Sequence, residues 1–385
     1  LSKRAPDESH EFTWKEVTTT RGGELAEILG DQLRSVDSLV VKGNVNDKDF
    51  HAMWDASLYG YLSVINLKNA VLENNAVPDT AFFHENEQYE GSSHEIFYYI
   101  GLRKIILPEG LEKIGEGAFY QASALRQVNF PSTLRYIGDF AFNATKLEMN
   151  QLVIPEGVEE INQYAFAFCR KLKAQVTLPS TIKKIGEWAF YGCPITSINL
   201  PEGLESLGSL AFWDCDLREV SIPSSCHEFN EGWQFGFNRN LEKMHLPEGM
   251  TEIPDHFAVD CFRLREVNFP HTLKHIGEKA FSLCISLKNV DLPLGMQSLG
   301  EEAFSELEAL EQIVFPASMK SLGKNSCSYW KNIKRIYCAA MEPPVCDPTD
   351  GGVFSGFDFP DGLNTPVVYV PKGSINKYKD TSRNC

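Results

Sequence analysis

Short extended segments with alternating polar and apolar residues recur along most of this chain. In the stretch from Leu264 to Cys284, LREVNFPHTLKHIGEKAFSLC, Val267 and Phe269 alternate with Glu266 and Asn268. This period of two predicts a strand whose apolar side chains point inward and whose polar ones point outward. A proline then ends the strand, because proline cannot donate to a sheet, and a second extended piece closes at Ile-Gly. The Ala-Phe-x-x-Cys segment that follows favours a helical or 3₁₀ turn with its phenylalanine inside the coil.

The same repeat recurs about ten times with a steady period. Successive prolines at the end of the first strand lie 22–24 residues apart. These prolines are Pro108, Pro131, Pro155, Pro179, Pro201, Pro223, Pro247, Pro270, Pro293 and Pro316. A repeat this short buries too little apolar surface to fold alone, so each coil needs its neighbours. The period therefore predicts a solenoid of stacked coils instead of a compact globule.

The predicted fold is an α/β repeat solenoid, a right-handed superhelix of about ten coils of 22–24 residues with N- and C-terminal caps. Residues 101–338 hold the repeats. Residues 1–20 are polar and aperiodic, and we expect a disordered lead-in there. We expect residues 21–100 to form an N-terminal cap region and residues 339–385 to form a C-terminal cap region.

Two helices are predicted in the N-terminal cap region. The first spans residues 24–33, and its apolar face is formed by Leu25, Ile28, Leu29 and Leu33. The second begins after Asn46, whose side chain can accept the first backbone N–H groups of a helix. The alternative there is a calcium loop that includes Asn44 and Lys48, but this segment lacks the charge and the closing glutamate of such loops.

Further strands are predicted on both sides of the repeats. Segments 36–41 and 62–67 have the same spacing of apolar residues as the first strand of each repeat, and residues 367–370 have it once more. Tyr378 is expected to pack in the C-terminal cap.

Three repeats depart from the pattern. The sixth has Phe229-Asn230 in place of Ile-Gly, and the seventh inverts Ala-Phe to Phe257-Ala258. The tenth has Ser326-Cys327 in that position. Two interpretations stay open. The repeats have diverged in sequence and local repacking tolerates the changes, or the sixth and seventh repeats carry a bend or a binding feature.

Charge narrows the classes of partner. The formal net charge is −16, from 36 Lys plus Arg and 52 Asp plus Glu. This balance repels phosphate backbones and anionic lipid, which argues against nucleic acid as a partner. No stretch approaches the 18 uncharged apolar residues of a membrane-spanning helix. Leu1 is not a start methionine, which is consistent with a mature or trimmed form of an exported protein.

Five of the ten cysteines recur at the same place in their repeats: Cys169, Cys193, Cys215, Cys261 and Cys284. We interpret them as a ladder of small buried thiols, although adjacent rungs could in principle be cross-linked. The others, Cys226, Cys327, Cys338, Cys346 and Cys385, show no Cys-x-x-Cys spacing. This spacing argues against structural zinc.

No catalytic constellation is recognisable. The chain lacks Gly-x-Ser-x-Gly, a phosphate-binding loop, Gly-x-Gly-x-x-Gly and His-Glu-x-x-His. His271 and His275 straddle an extended piece instead of sharing a helix face, so we predict no metal site from them. The sequence predicts neither an enzyme nor a cofactor.

The sequence points more clearly to binding surfaces than to a catalytic site. Outward-pointing polar residues of the long sheet are candidates for a broad binding face: Asn129, Thr177, Asn199, Ser221, Lys243, His245, Glu266, Asn268 and Asp291. The alternative is an ordinary solvated sheet. On another flank, Tyr120, Tyr191 and Trp213 follow the Ala-Phe pair at equivalent positions. They are candidates for stacking on sugars or anchoring a protein loop, or they pack against neighbouring coils.

The recurrent Leu-x-x-Ile-x-Leu-Pro and Ile-Gly-x-x-Ala-Phe-x-x-Cys motifs resemble the BspA-like leucine-rich repeats of bacterial surface proteins, found especially in Bacteroides-type bacteria. The resemblance covers roughly residues 36–380. It includes Tyr369-Val370-Pro371-Lys372-Gly373-Ser374, followed by Tyr378, which looks like the usual ending of the family. A tryptophan that normally follows this ending is absent.

The resemblance implies export, often as a lipid-anchored cell-surface protein, and adhesion to host matrix proteins or other cells. It brings no shared catalytic residues. We therefore expect an exported, noncatalytic and monomeric binding protein, whose partner is a host or bacterial surface protein. The alternative is a glycan-binding module for nutrient capture.

Overall fold

The computed structural model describes residues 10–83, 100–346, 352–354 and 366–379. The chain divides into two compact units, Leu1–Leu172 and Lys173–Cys385, here called unit 1 and unit 2. The division falls inside the repeat array, after the third of the ten repeats. Each unit is a stack of parallel coils, and the two units together contain about 13 solenoid turns. The predicted repeat solenoid is confirmed, with the cap regions adding turns to the ten repeats.

Unit 1 contributes two series of parallel strands. In the first series, five strands pair in chain order: β1 (Trp14–Thr19), β2 (Ser38–Val45), β3 (Val64–Leu72), β5 (Lys104–Ile106) and β7 (Gln127–Val128). The last strand of this series in unit 1 is β9 (Gln151–Val153). The second series pairs in the same way: β4 (Ala76–Val77), β6 (Lys113–Ile114), β8 (Tyr136–Ile137) and β10 (Glu160–Ile161). From β3 onward, each coil of unit 1 places one strand in each series, whereas β1 and β2 are followed by helical segments instead.

Unit 2 continues the same plan. Its first-series strands are β11 (Gln175–Thr177), β13 (Ser197–Asn199), β15 (Glu219–Ser221), β17 (Lys243–His245), β19 (Glu266–Asn268), β22 (Gln312–Phe315), β24 (Arg335–Cys338) and β26 (Val367–Tyr369). Its second-series strands are β12 (Lys184–Ile185), β14 (Ser206–Leu207), β16 (Glu228–Phe229), β18 (Glu252–Ile253), β20 (His275–Ile276), β21 (Ser298–Leu299), β23 (Ser321–Leu322) and β25 (Val345–Cys346).

Helices lie outside the repeats. They are α1 (Leu25–Leu29), followed by a 3₁₀ turn at Gly30–Arg34, then α2 (Asp47–Tyr59), a 3₁₀ turn at Glu73–Asn75, and α3 (Ile375–Tyr378). Both predicted helices of the N-terminal cap region are therefore present, although Ile28 is 50% exposed instead of buried. Asn46 caps α2 through a reciprocal capping box with Asp49, which confirms the helix cap over the calcium loop.

The expectation of a disordered lead-in is wrong for residues 14–19. These residues form β1, which pairs in parallel with β2 over six residue pairs, and Val17 and Thr19 are buried. Backbone pairing with an existing sheet edge, together with two inward side chains, stabilises a segment whose polar composition suggested otherwise. Residues 1–9 and 84–99 lie outside the described residues.

The end of the repeat array agrees with the predictions made for it. The last predicted strand is β26, which pairs with β24. The hydroxyl of Tyr378 donates to the carbonyl oxygen of Ala340 over 2.9 Å. Burial raises the pKa of Tyr378 to about 12. Tyr378 therefore packs in the C-terminal cap, as predicted.

The segment around each Ala-Phe pair is not helical, in contrast to the prediction. It contains two residues of positive φ four positions apart, such as Trp233 (65°) and Phe237 (58°) in the sixth repeat. Between them, alternate N–H groups bond the next coil, as when Phe190 donates to the carbonyl oxygen of Ala211 over 2.9 Å. Bonds between coils therefore replace the bonds within a helix. We call the series of these segments the turn edge.

Phenylalanines of successive repeats form a column behind the turn edge. In unit 1, the rings of Phe142 and Phe166 lie 5.3 Å apart with planes 8° from parallel. In unit 2, Phe212 stacks on Phe190 and on Phe235, at 5.6 Å in both cases. All five side chains are completely buried. The stacked core that the repeat predicts is thus confirmed within each unit.

In the seventh repeat, where the order of the Ala-Phe pair is inverted, the neighbouring phenylalanine fills the column instead. Ala258 takes the register of the column residue, and its N–H donates to the carbonyl oxygen of Ala280. The neighbouring Phe257 is completely buried and meets Phe235 edge-on, with ring centroids 5.4 Å apart. Its ring also contacts Phe229, the residue that replaces isoleucine in the sixth repeat. These contacts support local repacking as the explanation of the departures.

The recurrent glycine of Ile-Gly allows neighbouring coils to approach closely. A Cβ at Gly208 would lie 2.4 Å from the backbone nitrogen of Glu187, and one at Gly300 would lie 2.6 Å from that of Glu278. Such distances are far below van der Waals contact. Neither glycine has a positive φ, so it is the close approach of the coils that requires the missing side chain.

The recurrent cysteines are buried thiols that bond the preceding coil. The Sγ atoms of Cys215 and Cys261 each lie 3.3 Å from a backbone oxygen, that of Phe190 and that of Phe235 respectively. In the sixth repeat Asn238 takes the position of the cysteine, and its Nδ2 donates to the oxygen of Phe212 over 2.7 Å. This position therefore supplies a donor to a buried carbonyl as well as filling space.

These thiols are expected to resist alkylation in the native protein. Burial raises the pKa of Cys261 to about 12, and that of half-buried Cys338 to about 11. At pH 8 only about one Cys261 thiol in 10⁴ would be ionised, and the thiolate is the reactive form. Iodoacetamide labelling followed by peptide mass spectrometry should show Cys338 reacting first and both reacting quickly in urea. Equal native rates for the two cysteines would contradict this prediction.

Candidate functional site

The predicted sheet face exists in unit 2 as neighbouring first-series strands. β11 pairs with β13, β15 lies beside β13, and β15, β17 and β19 pair in order. Most of the predicted binding residues lie on these strands and are exposed, with His245 half-buried: Thr177, Asn199, Ser221, Lys243, His245, Glu266 and Asn268. Asp291 is also exposed but lies outside any strand, and Asn129 belongs to unit 1.

Charges of opposite sign alternate across three strands of this face. The strand register places Lys243 between Glu219 and Glu266. The ammonium of Lys243 lies 3.2 Å from the carboxylate of Glu266, and His245 Nε2 lies 3.2 Å from the carboxylate of Glu219. Exposed pairs such as these add at most about 1 kcal/mol to stability. Their consequence is a fixed pattern of charge on a rigid backbone, which we call the charged sheet face.

Two of the predicted asparagines are engaged with the backbone of the preceding coil. Asn268 accepts from the N–H of Leu246 over 2.8 Å and donates to its carbonyl oxygen over 3.0 Å. Asn129 makes the same pair of bonds with Leu107, at 2.7 and 3.0 Å. Both ends of each side-chain amide therefore extend the sheet pairing, so a ligand would meet these amides already bonded.

The aromatic residues predicted on the other flank lie on the turn edge and are half-buried. Tyr120, in unit 1, contacts Phe83 and Phe140 edge-on, with ring centroids 4.7 and 6.0 Å away. Tyr191, in unit 2, lies 4.3 Å from Trp188. Tyr191 and Trp213 occupy equivalent positions in adjacent coils, whereas Tyr120 belongs to a different aromatic group.

Trp213 is the centre of an aromatic cluster. Its indole lies over Gly236 of the next coil, where a Cβ would come within 2.1 Å of the ring. Its ring centroid lies 5.2 Å from that of Trp233 and 4.5 Å from that of Phe237. The imidazole of His256 stacks on Trp233 at 3.6 Å. We call Trp213, Trp233, Phe237 and His256 the aromatic cluster of unit 2.

The last three of these residues are not among the predicted site residues, although they lie in the sixth and seventh repeats, where a binding feature stayed open. Trp233, Phe237 and His256 occupy the two positive-φ positions of the turn edge, and their common location appears only when the turns are aligned by φ. The available signal was that Trp233 and His256 each directly precede the Ala-Phe position of their repeat.

His256 is held in its neutral form by its surroundings. Burial lowers its pKa below the ordinary value, while Nε2 lies 3.8 Å from the carboxylate of Glu278. Nδ1 is buried and makes no hydrogen bond with any described residue. The imidazole therefore behaves as an additional flat ring of the cluster at neutral pH.

Other kinds of site are weaker. In unit 1, a polar cleft of about 300 Å³ is lined by the start of α2 and by Lys113, which lies 3.2 Å from the carboxylate of Asp79. Among the described residues, no group of three or more His, Cys, Asp or Glu side chains is arranged to hold a metal ion. Within the same residues, no helix has the length and apolarity needed to cross a membrane.

Comparison with known proteins identifies the repeat. The model of the BspA type leucine rich repeat region matches residues 92–175, 173–281 and 256–341, which is more than half of the chain. A leucine-rich repeat protein from Bacteroides ovatus has the same fold, with a TM-score of 0.65 and 23% identity over 91% of this chain and 82% of that chain. At this identity the likeness concerns the fold alone.

Two other solved structures align less well. One is the pneumococcal vaccine antigen PcpA, with 19% identity over 91% of this chain and 77% of that chain and a TM-score of 0.41. The other is a leucine rich cell surface protein from Faecalibacterium prausnitzii, with 17% identity over 84% of this chain and 87% of that chain and a TM-score of 0.38. None of the curated proteins matches this chain. Because the family model covers most of the repeats seen in the structure, the chain belongs to the BspA-type leucine-rich repeat family.

Proposed function

We propose that this protein is a noncatalytic adhesin that binds a host-matrix or cell-surface protein through the charged sheet face of unit 2. Leucine-rich repeat proteins are typically non-enzymatic, and the family suggests a protein-binding surface. The observation that carries the proposal is the acid–base–acid row of Glu219, Lys243 and Glu266 on three paired strands.

A rigid patterned surface suits recognition of a protein. The strands already hold the charged side chains at fixed spacing, so little backbone entropy is lost on binding. Opposite charges at fixed positions select a partner with the complementary pattern and accelerate its encounter. Because surface ion pairs add little stability, the row matters more for recognition than for folding.

We also propose that the protein acts outside the cell, as an exported protein with or without a lipid anchor. BspA-type leucine-rich repeat proteins are surface proteins. Protease treatment of intact source cells tests this location. Cleavage of the protein while a cytoplasmic marker stays intact is expected, and full protection would count against an external site.

Lys243→Glu is expected to weaken partner binding at least tenfold, because it converts the row to three negative charges. Immobilised fibronectin, fibrinogen, laminin, collagen and mucin are suitable probes in surface plasmon resonance. Wild type should bind at least one of them saturably. The double variant Lys243→Glu/Glu266→Lys restores an ion pair with inverted polarity, so it should match wild type in stability but stay weak in binding.

The matched control is Arg126→Glu in unit 1. Arg126 forms an equally exposed pair with Glu148, at 2.6 Å, and its reversal changes the net charge of the protein by the same amount. Binding should be unchanged in this variant. Failure of wild type to bind any probe, or equal losses in Lys243→Glu and Arg126→Glu, would rule out the charged sheet face as the site.

A further inference from the structure

We propose that the aromatic cluster of unit 2 is a second binding site, whose ligand is a neutral saccharide that stacks on Trp213. This site lies on the turn edge and is independent of the charged sheet face. The inference comes from the packing of Trp213, from the residues that occupy equivalent positions in other repeats, and from the charges beside the cluster.

The packing of Trp213 produces a platform. Gly236 covers one face of the indole so closely that a single methyl group there would overlap the ring. Trp233 meets the ring edge-on at 60° to its plane, and the ring of Phe237 is tilted by 37° to it. Trp213 is nevertheless only half-buried, so its exposed part faces away from the coil. The exposed part of Trp213 is therefore a flat aromatic surface with two further aromatic rings in contact with it.

The fold does not require aromatic residues at these positions. Residues equivalent to Trp233 are aromatic in some repeats, as at Phe140, Tyr164 and Trp188, but not in others. The non-aromatic ones include Leu210, Lys279, Glu302 and Asn325, with φ between 50° and 56°. Bulky residues are uncommon at positive φ, where asparagine is favoured. Residues equivalent to Trp213 include Ser282, Ser305 and Ser328. Coil packing therefore accepts small or polar residues at both positions and does not require tryptophan at either.

The charges around the cluster indicate the class of ligand. Asp214 and Asp260 are half-buried beside it, and burial raises the pKa of Asp260. Carboxylates of this kind accept hydrogen bonds from hydroxyl groups. Their two negative charges outweigh the positive charge of Arg239, which acts on Asp260, so an anion is disfavoured. A cation is also disfavoured, because the guanidinium of Arg239 already lies over the ring of Phe237, 5.7 Å from its centroid.

A neutral sugar satisfies both features of the surface. One face of a pyranose ring presents C–H groups, which pack on the face of an aromatic ring, while its hydroxyl groups point to the sides. Asp214 and Asp260, which are half-buried beside the cluster, are the candidate acceptors for such hydroxyls. Uronic acids and sialylated glycans carry a carboxylate that these residues would oppose.

The test uses isothermal titration calorimetry of the intact protein with cellohexaose, xylohexaose and mannohexaose, and with pentagalacturonic acid and 3′-sialyllactose as anionic probes. Wild type should bind at least one neutral hexasaccharide, at least tenfold more tightly than either anionic probe. Trp213→Ser and Trp233→Asn should each weaken that binding at least tenfold. Both substitutions introduce residues that the chain itself carries at equivalent positions.

Leu210→Asn is the matched control, because Leu210 occupies the position of Trp233 in the preceding repeat with a φ of 56°. Its saccharide binding should equal that of wild type, and so should that of Lys243→Glu. As a measurement that needs no variant, the bound hexasaccharide should reduce acrylamide quenching of tryptophan fluorescence in wild type.

The proposal is overturned if wild type binds no neutral hexasaccharide, or if the anionic probes bind as tightly. It is also overturned if the tryptophan variants and Leu210→Asn lose binding equally. If Trp213→Ser instead removes binding to a matrix protein while no saccharide binds, the cluster is a protein-docking site. Loss of saccharide binding leaves the charged sheet face untouched, so the two proposals fail separately.

Discussion

Replacing Phe212 by alanine is expected to lower the free energy of unfolding by about 3–5 kcal/mol. Phe212 is completely buried and stacks on Phe190 and Phe235, with planes within 10° of parallel on both sides. Its removal would leave a cavity between two coils whose backbones are bonded to each other. These coils cannot close the gap without losing their own hydrogen bonds, so relaxation should recover little of the loss.

Urea unfolding followed by circular dichroism measures this effect. Phe212→Leu keeps most of the volume and should cost less than half as much. Phe12→Ala makes the same chemical change at a side chain that is 69% exposed, so its unfolding midpoint should stay close to that of wild type. A Phe212→Ala midpoint equal to that of Phe12→Ala would mean that the column does not hold the coils together.

The phenylalanine column could be predicted because a repeat multiplies a weak signal. A single Ala-Phe pair says little, but its recurrence at a period of 22–24 residues places each phenylalanine above the last. Even the inverted Phe257-Ala258 pair fits this logic, since the neighbouring position supplies the missing ring. Alternation likewise identified the outward residues of the sheet, because the period of two fixes their side.

The conformation of the turn edge could not be predicted from local preferences. Trp188, Trp233 and Lys279 adopt positive φ, although such residues carry no sequence signal for it. Hydrogen bonds to the next coil impose this conformation, as when Trp233 N–H donates to the oxygen of Asp255. A preference of single residues is outweighed by a bonding pattern that exists only after the coils stack. The helical expectation failed for that reason.

The binding surfaces, too, were predictable in part: the sequence indicates which side chains point outward but not which contacts they make. Sequence alternation places Asn268 and Lys243 on one face, but it does not distinguish an amide bonded to Leu246 from an ammonium held beside Glu266. Nor does it indicate that Trp213 lies on Gly236 of the next repeat. Contacts between coils decide which exposed residue remains available to a ligand, and these depend on the register of stacking.

Asp49→Ala is expected to destabilise the N-terminal cap region by about 3–5 kcal/mol, an effect as large as opening the core. The carboxylate of Asp49 is 1% exposed. It accepts three backbone N–H groups, those of Gly23 at 2.7 Å, Leu25 at 2.9 Å and Asn46 at 3.0 Å. Alanine would leave these donors without an acceptor, and each buried donor that loses its partner costs about 1–3 kcal/mol.

Asp49 also joins three elements, because its three donors come from the turn before α1, from α1 itself and from the residue that caps α2. Asp49→Asn retains one acceptor oxygen and should lose about half as much stability as Asp49→Ala.

Asp47→Ala is the control, since Asp47 lies in the same helical turn but is exposed, and its contact with the helix dipole is worth about 0.5 kcal/mol. Urea unfolding should therefore rank the variants Asp47→Ala, Asp49→Asn and Asp49→Ala in order of increasing loss. Equal losses for Asp47→Ala and Asp49→Ala would show that charge at the start of α2, and not the three hydrogen bonds of the Asp49 carboxylate, stabilises this region.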